Sequence, residues 1–183
     1  MSTAAIGRSR PAGGRWALAG SIVTVLAVAG AHGASYRRTE AALAARAWNL
    51  LHSEDAVASG ANVWFGLGRS DAYGLAITPQ CSSLFLVMPV AAIAVAALAR
   101  RQLRVRRIVA ALLAGVLVVA AGNVVRVATI AGLVQRWGIR RGYDWGHLVI
   151  GSVLSVLFVA ASLAALALVL LRDGRAARAG AAS

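Results

Sequence analysis

Three side chains in this sequence could together carry out nucleophilic catalysis. The only cysteine, Cys81, stands in "AITPQCSSLFLVMPV" at the entrance to a long apolar run. Arg126 lies in "AAGNVVRVATIAGLV", one helical turn after Asn123 and inside an otherwise apolar run. His147, in "YDWGHLVIGSV", opens the last apolar run. A thiol, a permanent cation and an imidazole are a nucleophile, an electrostatic stabiliser and a proton carrier. Each also has a plainer reading. Cys81 on its own stretch serves equally well as a small apolar residue of a membrane helix. Arg126 can snorkel to nearby headgroups. Histidines are frequent at membrane interfaces, and His32 and His52 are rivals to His147, although neither begins an apolar run.

The local patterns sharpen the first reading. "TPQC" reads as a helix start, with Thr78 as N-cap, Pro79 at the first helical position and Cys81 at the third. First-turn N–H groups and the helix dipole stabilise a thiolate there. Counted from Ile108 at 1.5 Å per residue, Arg126 lies about 27 Å along its helix, close to the outer edge of a roughly 30 Å hydrocarbon core. An ionisable group inside a span is a functional-site hypothesis by default. Asn123 shares its helix face, so the two make an inward polar stripe instead of a lone anchor.

The elements that must position these residues are membrane helices. The chain of 183 residues is 60% hydrophobic and only 14% charged, too apolar for a soluble domain that needs a polar shell. Four apolar runs, at about 16–34, 83–99, 108–134 and 148–171, approach the roughly 20 residues a crossing helix needs. The second contains Pro89, a candidate kink or break. The expected fold is an all-α integral membrane protein, a bundle of about four transmembrane helices with an extracytoplasmic interfacial helix and hairpin segment.

The net charge of +13 comes from nineteen basic residues, all arginine. They cluster before the first run, between the second and third (Arg100, Arg101, Arg104, Arg106, Arg107), and after the last. That alternation is the positive-inside pattern. The aromatics are not interleaved with the arginines as base-stacking sites would be, so the charge sets topology and nucleic acid is not an expected partner. Residues 1–15 then form a cytoplasmic basic tail, 16–34 the first transmembrane helix, 35–82 an extracytoplasmic segment, 83–171 a three-helix membrane core carrying the site, and 172–183 a cytoplasmic disordered tail. The first run, ending in "AVAGAHGAS", also fits a cleaved signal peptide. Within 35–82, "YRRTEAALAARAWNLLH" has the spacing of an amphipathic interfacial helix, and "VWFGLGRSDAYGLAI" that of a hairpin turning at "GRSD". Cys81, Arg126 and His147 all fall at the non-cytoplasmic ends of their runs.

Together "CSSL" at Cys81, "NVVR" from Asn123 to Arg126 and "GHLVIGS" at His147 resemble the exosortase/archaeosortase family of membrane-embedded thiol transpeptidases, over about residues 62 to 160. The chain departs from the family in having Ser83 where glycine is frequent, and about four spans where many relatives have about eight. The resemblance implies a multi-pass plasma-membrane protein of a bacterial cell, with its site on the extracytoplasmic side. Its substrates would be proteins ending in a short motif, a membrane span and a basic cluster. Cys81 would attack a backbone carbonyl and form a thioester, His147 would activate the thiol and protonate the leaving amine, and Arg126 would stabilise the oxyanion. Asn123 and Thr78 would support them. An amine or water would resolve the thioester, membrane lipid would surround the site, and no cofactor or metal is implied.

Other classes of function stay open on the sequence. A non-catalytic membrane scaffold or assembly protein accommodates a packed Cys81 and a snorkelling Arg126. A transporter is disfavoured by the lack of an internal repeat or paired broken helices. A serine hydrolase through Ser82 or Ser83 lacks the Gly-x-Ser-x-Gly context, and a dithiol redox site lacks a second cysteine.

Overall fold

The structure is a computed structural model that describes residues 13–52, 55–100 and 103–179, the last seven by their backbone alone. Much of the expected N-terminal tail (1–12), part of the arginine cluster (101 and 102) and the last four residues lie outside the described ones.

Each apolar run becomes a helix. They are α1 (Gly13–Ala31), α3 (Ser83–Leu98), α4 (Val105–Trp137) and α6 (Gly151–Ala179), with α2 (Gly33–Leu51) following α1 after one residue and a short α5 (Ile139–Asp144) leading to α6 through a π-helical turn, Trp145–Ile150. α1, α4 and the stretch from Ile139 to Arg172 are long and apolar enough to cross a membrane, and α3 is apolar but has only 16 residues. This is the expected all-α membrane protein, with a small three-stranded sheet added.

α4 is the axis of the molecule. At 33 residues it is about 50 Å long, well beyond a hydrocarbon core. Its first half packs with α3 and α6 around Val90, Ala94, Leu98, Ile108, Val119 and Leu166. Small residues let these helices approach closely. The ring of Phe158 lies over Gly122, where a Cβ would collide with it, and Ser162 Oγ donates to Gly115 O at 3.2 Å and to Phe158 O at 2.8 Å. At the far end of the bundle, the Arg15 guanidinium donates to the carbonyls of Leu98 (3.2 Å), Arg100 (2.5 Å) and Leu103, tying α1 to the last turn of α3.

The second half of α4 belongs to a separate core. Ala41, Ala44, Ala45 and Trp48 repeat at helical spacing along α2 and pack with Val63 and Phe65 of the sheet against Ile130, Ala131 and Val134 of α4. The sequence-predicted amphipathic helix is α2, and its apolar face covers protein. The sheet is antiparallel in the order β1 (Ala56–Ser59), β2 (Asn62–Phe65), β3 (Tyr73–Ala76). Ser59 pairs with Asn62, which leaves a two-residue turn whose first residue, Gly60, has φ +62°, the geometry such tight hairpins require. β2 and β3 form the expected hairpin, and "GRSD" lies in its loop, where the Arg69 N–H donates to Gly66 O at 3.0 Å. β1 was not anticipated. The side chain of Asn49 holds its first residue, accepting from Ala56 N–H at 2.7 Å and donating to Ala56 O at 3.0 Å.

Three local expectations are corrected. "TPQC" does not begin the long helix: Pro79–Cys81 is a separate 3₁₀ turn, the Thr78 hydroxyl caps nothing, and α3 starts at Ser83 with Ser82 as its N-cap. Two serines after the cysteine offer a capping hydroxyl that is already in place, so the α-helix starts there. α3 runs through Pro89 without a break. α6 continues to Ala179, past the expected end at Leu171, because "RDGRAARA" consists largely of strong helix formers.

Candidate active site

The two cores meet along α4 between Val119 and Val127, and Asn123 and Arg126 lie on the buried face at that seam. Arg126 is 7% exposed and Asn123 4%. A guanidinium can stay here because Gly151 of α6 has no side chain: a Cβ there would stand 2.9 Å from Arg126 Nε. Gly146 likewise lets the π-turn lie against the backbone of α4 at Ile130.

Cys81, at the end of its 3₁₀ turn, faces this seam. Its Sγ is 3.8 Å from Arg126 Nη2, and 3.8 and 3.9 Å from Nδ1 and Nε2 of His147. The structure therefore brings together the three residues singled out by their types. The sulfur is nearly equidistant from both ring nitrogens, so this is a loose contact and not an aligned hydrogen bond, as is common in sites without substrate. His147 sits in the π-helical turn, a local defect often found at functional sites. The ring of Tyr143, one turn earlier, stacks on it with centroids 5.1 Å apart and planes within 4°. Leu75, Ala76 and Ile77 line the same cleft as Cys81, Arg126, Tyr143 and His147. Thr78 is exposed and makes no side-chain cap, so the structure gives it no part in the cluster.

A fourth group was missed. Glu40 of α2 is 8% exposed, and its Oε1 accepts from the Ser83 N–H at 2.7 Å and from Asn123 Nδ2 at 3.0 Å. Tyr36 OH adds a 2.8 Å hydrogen bond to Ser83 Oγ. One carboxylate thus satisfies the first N–H of α3, complements the positive end of its dipole and clamps Asn123. It fixes both the element that follows Cys81 and the helix that carries Arg126. The signal was available in the sequence: Glu40 stands one and two turns before Ala44 and Trp48, an acidic residue on the apolar face. We expect Glu40→Ala to lower stability by about 2 kcal/mol, because two buried donors lose their acceptor. Glu40→Gln, which keeps an oxygen in place, should lose less than half as much. Thermal unfolding in detergent measures both.

Helices crossing a membrane, with a thiol, a guanidinium and an imidazole gathered at one end of the bundle, define a multi-pass membrane protein with a thiol-centred site. The chain belongs to the transmembrane exosortase family, whose model matches residues 55–168. No curated protein and no solved structure matches it. Membership places it among membrane transpeptidases that process proteins at the membrane. The match covers Cys81, Asn123, Arg126 and His147 but begins after α2, so Glu40 lies outside it.

Proposed function

We propose that the protein is a cysteine transpeptidase or peptidase that cleaves the C-terminal sorting signal of membrane-tethered secreted proteins at the extracytoplasmic face. The observation that carries this reading is the meeting of Cys81 Sγ with Arg126 and His147, all within 4 Å. The sidedness is supported by Arg100, Arg104, Arg106 and Arg107, which cluster around the turn joining α3 to α4, at the end of the bundle away from the thiol.

In this reaction His147 takes the thiol proton as Cys81 Sγ adds to the carbonyl carbon of the scissile peptide bond. The carbonyl oxygen becomes an oxyanion, and the Arg126 guanidinium, which cannot deprotonate, stabilises it. Collapse of the tetrahedral species breaks the C–N bond. The departing nitrogen takes the proton from His147, releasing the C-terminal span as an amine and leaving a Cys81 thioester. An amine or a water then attacks the thioester, gives a proton to His147 and restores the thiol.

The test uses a co-expressed protein that ends in a short motif, an apolar span and an arginine cluster. Hydroxylamine added during processing should intercept the thioester and yield product ending in a hydroxamate, visible by mass spectrometry. Efficient processing that never gives hydroxamate at any hydroxylamine concentration would exclude the acyl-enzyme.

A further inference from the structure

β3 is an edge strand. It pairs with β2 on one side, and among the described residues no strand pairs with its other side. The pairing phase tells which backbone groups are free. The Ile77 N–H donates to Ala61 O at 2.8 Å, so Ile77 faces β2. In an antiparallel ladder the hydrogen-bonding residues alternate, so Leu75 and Tyr73 also turn their N–H and C=O toward β2, opposite Val63 and Phe65. Gly74 and Ala76 then direct theirs to the free edge. Both are exposed and neither carries a bulky side chain.

This edge leads directly to the thiol. β3 ends five residues before Cys81, and Leu75, Ala76 and Ile77 form one wall of the cleft that contains Cys81. Arg126 and Ile130 of α4, Tyr143 and His147 line the same cleft. The cleft thus holds the outward-facing main-chain N–H and C=O of Ala76 together with the nucleophile, and Gly74 continues the same free edge beyond it.

We infer that the segment of the substrate preceding the scissile bond binds here as an added strand, parallel to β3, with its last carbonyl delivered to Cys81. This rests on the transpeptidase reading above. The direction follows from connectivity: β3 runs toward Cys81 and the chain then enters the apolar α3. A substrate whose extended segment precedes a membrane span takes the same course when laid alongside it. Recognition by strand addition draws affinity from main-chain hydrogen bonds, and only alternate residues of the added strand direct their N–H groups to the edge.

The probe is acetyl-Ala-Ala-Ala chloromethyl ketone, whose methylene carbon is attacked by sulfur with loss of chloride, and the readout is the rate at which Cys81 gains the adduct mass. Iodoacetamide, which has no peptide chain, is the comparison reagent. N-methylation of single residues of the probe should slow labelling about tenfold at alternate positions and little at those between. Ala76→Pro removes one outward N–H at an edge position that tolerates proline. It should slow the tripeptide reagent about tenfold and leave the iodoacetamide rate unchanged. Equal sensitivity to N-methylation at every position, or none, overturns strand addition, as does Ala76→Pro with both rates intact. If Ala76→Pro slows both reagents alike, the edge itself is disturbed and the N-methyl series decides. Failure of the transpeptidase reading looks different: hydroxylamine would trap nothing during processing, whatever the pattern of labelling.

Discussion

Cys81→Ala should leave the protein folded and inserted but abolish processing, with an expected fall of at least about a thousandfold in rate. The structural cost is small. Cys81 is partly exposed at the end of a 3₁₀ turn that is held by its backbone, with the Cys81 N–H on Thr78 O at 3.0 Å. Loss of one sulfur there should cost about 1 kcal/mol or less. The chemical cost is complete, because no other thiol exists in the chain. Ser82 and Ser83 cannot replace it: both are buried and engaged, Ser82 Oγ with the Leu84 N–H and Ser83 Oγ with Tyr36. Cys81→Ser should be almost as inactive, since an alcohol needs a far better aligned base than a ring almost 4 Å away. A mobility shift of the co-expressed substrate measures processing, and a thermal melt of the purified variant confirms folding. Normal processing by Cys81→Ala defeats the nucleophile assignment.

Arg126→Met should move activity and stability in opposite directions. Arg126 is nearly buried, its Nε has no hydrogen-bond partner, and its Nη2 meets only the weak acceptor Cys81 Sγ at 3.8 Å. Among the described residues no carboxylate lies within ion-pair distance of it. The charge has therefore lost water without gaining a counter-ion, and exchanging such a group for an apolar one of similar length should stabilise the fold by about 1–4 kcal/mol. Removing the one cation beside the nucleophile should lower the processing rate by about 10²–10³. Arg126→Lys should not restore it, because a flexible ammonium lacks the planar fork of donors that the guanidinium presents. A variant that melts lower and processes normally would show that Arg126 supports the fold and not the reaction.

The apolar runs were legible because membrane-spanning helices are specified by length and hydropathy, and the ends of α1, α3 and α4 fall within about three residues of the expected ones, while α6 overruns its expected end by eight. The meeting of Cys81, Arg126 and His147 was legible for a related reason: alternating spans place run ends at the same depth, and depth alone leaves few partners. The hairpin at "GRSD" could be read because strand alternation and glycine-rich loops are local signals. Glu40 was obscured by treating the amphipathic helix as a lipid-facing element, so its acidic residue counted only toward the charge of the segment. The 3₁₀ turn at Pro79–Cys81 was masked by the Thr-Pro pattern of a helix start, although Ser82 supplies the cap that α3 uses. The π-turn around His147 leaves no mark in composition or periodicity, since its extra residue is absorbed by contact with α4.

α3 has a wider consequence. Sixteen residues rise about 24 Å, several ångströms short of a bilayer's apolar thickness. If α3 crosses on its own length, lipids beside it would have to compress by a few ångströms near the thiol. A passenger helix of ordinary length drawn in there has more turns than the locally thinned oil can shelter. Its surplus turn is pushed into water, where solvent competes for the carbonyls that a buried helix keeps to itself. Such thinning would unwind the turn that holds the peptide bond and so present that bond for attack.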